Sequence, residues 1–595
     1  MKSCSEISVI IATYNRRALL ERTLSTLINQ DIDPSRYEVI VVPDGCTDGT
    51  AVFLQNFSAE CDIRFVEQHP NQGQTKAANV GAKAARGKYL LFLDDDVVCE
   101  RGLLRAHLEA HESHSSDVLV FGPIPVADES PNTLATDWTR QSTLMYYERL
   151  KQTGGPIWPD NATVDANSSL SREIFLNCGG FDESLLSARQ NEELGIRLWR
   201  GGLPFVFAPD ALTHHVFVKS NYALAVTEAR THGWAEVRIS RKLMYARERS
   251  HLPAILRSSP LGRRAHRFVI GLPFSAEPIL RPAFGISQAL IGITFFRRVG
   301  LKLMDWRRSI EFHRAAVREV GGLRVLAAEF WAELPVLMYH HIGPIVPGTN
   351  LALTVTAFQF ERQLRYLKRH GYTTILPSDW LSYVERGKLL PEKPILLTFD
   401  DAYLDLVQYC FPLLKKYGFT GVVFVPTANI AGTNEWDQAN WPRPHKLLSA
   451  EQIAEWAAQG IDFGGHTRTH PDLRYLTPEE MEQELEGGKR DLEVILGRPV
   501  VSFAYPYGHY GDREVEYAVS KFPLCFTTDE GKNILTTDKG RLLRIMINPA
   551  GLFRFRLCLA FGFDPIIRLR ERLRLRTRVR KVWQTVTRAT KMNAN

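Results

Sequence analysis

TKAANVGAKAARGKYLLFLDDD, residues 75–96, is an alanine-rich, helix-forming run that stops at a glycine and feeds five apolar residues and then three aspartates. Tyr89 to Leu93 show no polar alternation, which is the pattern of a strand covered on both faces. The same unit recurs upstream. SVIIATYN (8–15) and YEVIVVPDG (37–45) read as strands ending in polar residues, with LLERTLSTLINQ (19–30) as the helix between them. Strands alternating with helices predict a parallel sheet with helices on both faces. Ligands of such sheets collect beyond the carboxyl ends of the strands, where Asn15, Asp44 and Asp94 to Asp96 fall.

A second α/β pattern occupies the other half. LPVLMYHH (334–341), PILLTFDD (394–401), GVVFVP (421–426), IDFGGHT (461–467) and VVSFAYPYG (500–508) read as strands. FERQLRYLKRHG (360–371), LVQYCFPLLKKYG (406–418) and EEMEQELEGGKRDLEVILG (479–497) read as helices with glycine stops. At 595 residues the chain is too long for one core. Its eight cysteines form no CxxC pair, so neither a zinc ribbon nor a disulfide framework is expected, and a reducing compartment is. The start runs directly into a strand, without the pattern of a signal peptide. The longest uncharged apolar stretch, Pro282 to Phe296, is shorter than the ~20 residues that span a bilayer, which predicts an interfacial or buried helix.

Three aspartates at a strand end are costly unless a cation joins them, and a nucleotide diphosphate brings one, since a divalent ion bridges carboxylate and pyrophosphate oxygens. With SVIIATYNRRALLERTL, VIVVPDGCTDGT, GGFDE and LGIRLWRGG in order around it, the segment from Ile7 to Val218 resembles the family 2 glycosyltransferases of GT-A fold. The resemblance implies sugar transfer from a nucleotide-sugar donor. Thr13, Asn15 and Asp44 match the nucleotide pocket, and Asp94 and Asp96 match the DxD motif that takes Mg²⁺ or Mn²⁺ with the donor. His214 or His215 stands where some members place a further metal or phosphate contact. One departure concerns the base. The family's Glu-Asp pair before LGxRL reads Gln190 and Asn191, and an amide cannot accept the acceptor's proton at neutral pH. Glu193, with Glu192 beside it, is the carboxylate left for that role. GAKAARGK (81–88) has the wrong glycine spacing and precedes a strand, so it is not a P-loop.

In the second half, Asp400 and Asp401 end a strand, and His466 and His470 lie four apart after Gly464 and Gly465. One carboxylate and two imidazoles make a facial set for Zn²⁺, Co²⁺ or Ni²⁺, leaving the other aspartate free as a base toward water. The segment from Leu334 to Pro549 resembles the NodB-like polysaccharide deacetylases (carbohydrate esterase family 4), which fold as a distorted (β/α) barrel. That resemblance implies Asp400 as general base, Asp401, His466 and His470 as metal ligands, and the Tyr507 N–H as oxyanion donor. TFDDG of the family reads TFDDA, with Ala402, and Ala504 replaces an arginine common before the Pro-Tyr pair. No histidine follows His509. LMYHHI instead matches a branch that takes its general acid from the first strand, pointing to His340, with His341 beside it. Arg544 is the cation expected to hold Asp400.

Four segments are therefore expected. They are a GT-A domain (1–222), a basic helical connection (223–333), a deacetylase barrel (334–550) and a basic amphipathic tail (551–595). The net charge of +7 is uneven. From Arg554 onward twelve Lys/Arg face two acids, and from Arg230 to Arg308 sixteen face four. Basic segments rich in apolar residues suit an anionic membrane surface better than nucleic acid. The expectation is a bifunctional carbohydrate enzyme, cytoplasmic and peripheral at the inner face of the cell membrane. It transfers a sugar and deacetylates an amino sugar in a glycan or lipid-linked glycan. The alternative is a deacetylase whose GT-A domain only binds nucleotide sugar or glycan.

Overall fold

The computed structural model describes residues 5–566 and 568, except 154–165, 186–188, 217–218, 222, 244–245, 248–249, 258–259, 272–276, 346–352, 438–443 and 550. It forms two compact units.

The first unit is built on β1 (Ile7–Thr13), β2 (Tyr37–Pro43), β3 (Asp62–Phe65), β4 (Tyr89–Leu93), β6 (Leu119–Phe121), β7 (Ser168–Ser171) and β8 (Phe205–Phe207). They form one sheet in the order β3-β2-β1-β4-β7-β6-β8, while β5 (Val97–Cys99) and β9 (Thr213–His215) pair separately. The four strands on the β3 side are parallel, and β7 runs antiparallel to both neighbours, so the sheet is mixed as in GT-A folds. Alternate residues explain the unbroken apolar runs. Val9, Ile11, Val39, Val41 and Leu91 pack into one core, whereas Ile10, Ile40, Val42, Leu90 and Phe92 pack into another on the opposite face. The chain order reverses between β1 and β4, which opens a crevice at their carboxyl ends.

The second unit carries β10 (Leu334–Tyr339), β13 (Thr373–Thr374), β14 (Pro394–Phe399), β15 (Val422–Val425), β16 (Asp462–Gly465), β17 (Ser502–Ala504), β18 (Leu524–Phe526), β19 (Lys532–Asn533) and β20 (Ile545–Met546). A further small pair consists of β11 (His341–Ile342) and β12 (Thr354–Val355). Six strands run parallel in the order β18-β17-β16-β15-β14-β10, as an open (β/α) barrel. Gly418 and Gly497 cap helices in the left-handed region, as their glycine stops predict.

The expected connecting segment over 223–333 does not stand apart. Residues 259–323 belong to the first unit with everything up to Lys242, and 243–258 belong to the second. The helix Thr294–Val320 packs along Ala229–Lys242, closely enough that a Cβ on Gly233 would lie 2.0 Å from the Phe312 carbonyl oxygen. Part of the basic charge is paired here, in Arg230–Glu311 (2.7 Å) and Arg238–Glu319 (2.9 Å) between these helices and in Arg308–Glu228 (3.3 Å) just ahead of the first. The apolar stretch 282–296 is broken between Ala289 and Thr294, and among the described residues no helix is long and apolar enough to cross a membrane. Of the basic tail, residues 569–595 lie outside the described residues.

A polar cluster sits inside the first unit. The His107 ring contacts Ser169 Oγ (2.8 Å) and Asn167 Oδ1 (2.9 Å), and His111 Nε2 lies 2.8 Å from the same Ser169 oxygen. Burial pushes His107 down to about 4 and His111 down to about 3. Below the ordinary histidine range, the unfolded chain therefore binds protons that the folded chain refuses, and stability falls with pH by about 1.4 kcal/mol per unit per histidine. Melting of the full chain should show the first unit losing stability as pH drops from about 6.5 toward 4. His107→Gln, which keeps both hydrogen bonds without the charge, should flatten that slope; an unchanged slope would remove His107 as its origin.

Candidate active sites

In the second unit the chemistry collects where the barrel strands end. His340 follows β10, Asp400 and Asp401 follow β14, His466 follows β16, and Tyr507 lies three residues beyond β17. The backbone separates the two aspartates. The Asp400 N–H donates to the Tyr339 carbonyl (2.9 Å), continuing the ladder, whereas Asp401 turns into the left-handed region with φ 72°. Ala402 follows at φ 54°, so alanine occupies a conformation that glycine adopts at less cost.

Asp401 Oδ1 lies 3.5 Å from His466 Nε2 and 3.4 Å from His470 Nε2, and all three residues are buried. Among the described residues this is the group of three ligating side chains whose donor atoms all lie within 4.8 Å. The donor set fits a divalent cation. The His466 Nδ1–H donates to the Ala504 carbonyl at 2.7 Å, which leaves Nε2 as the lone-pair donor. Burial pushes His470 down to about 3, keeping it neutral, and the His470 Nδ1 and Asp401 Oδ1 atoms are buried without hydrogen-bond partners. Thr467 shapes the turn between the histidines: it adopts φ 65° and its hydroxyl accepts the His470 N–H at 3.0 Å.

Asp400 has a different environment. Arg544, wholly buried, donates Nη1–H to Asp400 Oδ1 at 2.6 Å and Nε–H to the Thr527 carbonyl at 2.7 Å. Burial pushes the Asp400 carboxyl up, but Arg544 and the nearby imidazoles outweigh it and hold the group below the usual carboxylate range. His340 Nε2 is 3.8 Å from Asp400 Oδ2. Burial lowers His340, opposed by the charges of Asp400 and Asp401. His341 turns elsewhere, with Nδ1 at 2.7 Å from Asp405 and its ring stacked on Tyr403. Tyr507 takes φ 59°, ψ 0°, and its ring packs edge-on to His470. The other face of this region is covered by Trp436, stacked on His470 at 4.9 Å.

In the first unit Thr13, Asp44, Asp94, Asp95, Asp96 and Asn191 line one cleft of about 670 Å³ at the β1/β4 crevice. Both Asp44 oxygens accept loop N–H groups, from Gln72 (2.8 Å) and Gly73 (2.7 Å), which seals the end of β2 to the loop ahead of the next helix. Asn15 adopts φ 51° and accepts the Thr47 N–H at 2.7 Å. The three aspartates diverge. Arg16 Nη1 bridges Asp95 Oδ1 (2.6 Å) and Asp96 Oδ2 (2.9 Å), Thr13 donates to Asp95 (2.7 Å), and His215 lies 3.2 Å from Asp96. Asp94 is the half-exposed member, touched by Gln74 at 3.2 Å. His214 lies 3.2 Å from Glu100 and does not line the cleft.

Two family models match the chain: glycosyl transferase family 2 over residues 8–176 and polysaccharide deacetylase over 387–523. The chain joins these two families. The putative polysaccharide deacetylase YxkH of Bacillus subtilis is 29% identical over 37% of the chain and 72% of its own length. The poly-beta-1,6-N-acetyl-D-glucosamine N-deacetylase of Staphylococcus epidermidis is 27% identical over 33% of the chain and 68% of its own length. Validoxylamine A glucosyltransferase of Streptomyces hygroscopicus subsp. limoneus is 30% identical over 36% of the chain, and the chain spans about half of that relative (54%).

Within the transferase domain one expectation needs correction. Glu193 does not line the cleft of the three aspartates. It is fully buried, its carboxylate held by Arg197 (2.8 Å) and Lys242 (2.8 Å), so both oxygens are occupied by cations away from the aspartates. Glu192 is tied to Arg189 at 2.7 Å. Sequence reasoning also missed Arg16 and Trp436. Arg16 had one usable signal, a cation three residues beyond the first strand; Trp436 stands in a single 3-10 turn with no pattern around it.

The Tyr507 turn depends on its neighbour. Gly508 has φ 69°, and a Cβ there would meet Thr528 Oγ1 at 2.0 Å. Gly508→Ala should cost the deacetylase domain about 1–3 kcal/mol, through overpacking and left-handed strain. Calorimetric melting reads this; an unchanged midpoint would mean that the Tyr507–Gly508 turn relaxes freely.

Proposed function

We propose that the deacetylase domain hydrolyses the N-acetyl group of an amino sugar in a glycan or lipid-linked glycan, and that the transferase domain moves a sugar from a nucleotide-sugar donor. The observation that carries the first half is the division of labour between adjacent aspartates: Asp401 with His466 and His470, and Asp400 with Arg544. The N-acetylglucosamine polymer named for the Staphylococcus epidermidis relative supports the substrate class. A divalent cation such as Zn²⁺, Co²⁺ or Ni²⁺, held by Asp401, His466 and His470, would supply Lewis acidity toward water and the acyl carbonyl.

The remaining steps belong to the chain's own groups. Asp400, kept ionised by Arg544, takes a proton from the attacking water. The Tyr507 N–H, turned by its left-handed backbone, donates to the developing oxyanion. His340, whose Nε2 lies 3.8 Å from Asp400 Oδ2, returns a proton to the departing amine. Acetate and a free amino sugar result.

Full-length protein incubated with N-acetylglucosamine oligomers and Zn²⁺ should release acetate. Asp400→Asn should lower the rate by at least ~10² while the metal content stays constant. His466→Ala should lose the metal itself, read by elemental analysis. Full activity in Asp400→Asn would sink the assignment of the base.

For the transferase domain, Asp94 and Asp96 with Mg²⁺ or Mn²⁺ and the donor pyrophosphate, and Thr13, Asn15 and Asp44 around the nucleotide, form the proposed donor site. A nucleotide-sugar donor made in the cytoplasm fits a protein located there, peripheral at the inner face of the membrane. A second reading is favoured by a specific observation: Gln190 and Asn191 line the cleft while Glu193 is locked behind it. In that reading the domain binds nucleotide sugar without transfer. A panel of nucleotide sugars separates the two. Release of nucleoside diphosphate, lost at least ~10²-fold in Asp94→Ala, supports turnover; saturable binding without release supports the module.

A further inference from the structure

Sugar transfer needs a group that takes the acceptor's proton, and the usual carboxylate is absent from the cleft. The amides Gln190 and Asn191 line it, and Glu193 is held by Arg197 and Lys242. The other acids and one of the two imidazoles on the cleft are engaged. Both Asp44 oxygens accept backbone N–H groups, Arg16 bridges Asp95 and Asp96, and His215 lies 3.2 Å from Asp96. Asp94 is the carboxylate left for the donor's cation. The second imidazole is His232, which lines the same cleft, is half-buried and makes no hydrogen bond among the described residues.

The helix Ala229–Lys242 carries His232 to the end of the cleft where the amide pair stands. Glu236, one turn further along the same face of that helix, pairs with Arg189 Nη1 at 2.9 Å, and Arg189 directly precedes Gln190 and Asn191. Gly233 fixes the helix from its other side, since only a residue without a side chain fits against the Phe312 carbonyl. On the turn before, Glu228 is tied to Lys219 (2.7 Å) and Arg308 (3.3 Å). Burial, with Arg189, Arg308 and Lys219 nearby, pushes His232 down to about 4 against the opposing charge of Glu228. The ring is therefore neutral at pH 7 and able to accept a proton, with a basicity in the range of the carboxylate it replaces.

We propose that His232 is the general base of sugar transfer, an inference that rests on the reading in which the transferase domain turns over. The acceptor O–H gives its proton to a ring nitrogen of His232 while the acceptor oxygen bonds to the anomeric carbon of the donor. The bond from that carbon to the diphosphate oxygen breaks, and its electron pair leaves with the nucleoside diphosphate. The anomeric configuration inverts, and the imidazolium passes its proton to solvent once the products depart.

Nucleoside diphosphate release by the full-length protein tests this, with UDP-glucose, UDP-N-acetylglucosamine and GDP-mannose as donors, Mn²⁺, and N-acetylglucosamine oligomers or water as acceptor. His232→Gln should lower kcat at least ~10²-fold, with the donor KM, the calorimetric affinity for UDP or GDP and the melting temperature unchanged. Asn191→Asp in that background should restore the rate at least ~10-fold, because it returns a carboxylate to the usual position of the base. Release that Asp94→Ala abolishes and His232→Gln leaves intact would overturn this inference and spare the transferase reading. A loss matched by weaker UDP or GDP binding, or one that Asn191→Asp does not recover, would overturn it too, making His232 a phosphate contact or a support of the cleft. No release by the wild type from any of the donors would remove the inference together with the reading beneath it.

Discussion

The pair formed by Arg544 and Asp400 is the constraint around which the deacetylase domain is arranged. Two opposite charges 2.6 Å apart with almost no exposure carry a large desolvation cost, and such a pair is maintained only where its remaining hydrogen bonds are made. Arg544 makes two of them, to Thr527 and Thr398 on segments that flank it in the barrel, while its Nη2 is buried without a partner. It thereby fixes one aspartate as a permanent anion and leaves the next one to the imidazoles. Without that cation, two carboxylates in one buried site would compete for protons, and neither role would be defined.

The transferase unit meets the same electrostatic problem with a different solution. Three consecutive aspartates end β4, yet they do not share one site. Arg16 neutralises Asp95 and Asp96 from inside, and only Asp94 is left half exposed in the cleft. The consequences differ for the two buried members. Burial raises Asp95 despite Arg16, whereas Asp96, which gains His215 as well, is held below the usual range in spite of its burial. A triplet that looks like one anionic site in the sequence thus divides into two carboxylates held by Arg16 and one left half-buried on the cleft.

What was readable in the sequence follows from the same physics. Val9 to Ile11, Val39 to Val42 and Tyr89 to Leu93 are apolar on both faces because helices cover both faces, so their strand character needs no tertiary information. Asp400, Asp401, His466 and His470 fall at strand ends, where a parallel sheet places reactive groups, and His340 joins them for the same reason. Glu193 could not be placed this way. Its neighbours on the helix differ by about 100° per residue, and the choice of face was made by Arg197 and Lys242, the second of them 49 residues away. The basic helices after Tyr222 carry less unpaired charge than composition suggests, for a related reason. Composition counts their arginines but not the glutamates of facing turns that absorb them, such as Glu228 and Glu311.

Backbone strain marks the places where local preference yields to chemistry. Asp401, Ala402, Thr467, His470 and Tyr507 all take positive φ without being glycine, and all five belong to the deacetylase site. Thr467 is the costliest of them, because a β-branched side chain resists the left-handed region most. Its hydroxyl recovers part of that cost by capping His470, and the result is that both histidines present Nε2 toward one carboxylate oxygen. Of the non-glycine residues on the transferase cleft Arg189 alone takes positive φ among the described residues, and Asn15, two residues beyond β1, is an asparagine, which tolerates this region best. Strain of this kind persists only where the surroundings over-determine the conformation. Its concentration around Asp401 therefore argues for a site whose geometry has been held against the backbone's own preference, a stronger structural case than the transferase cleft presents.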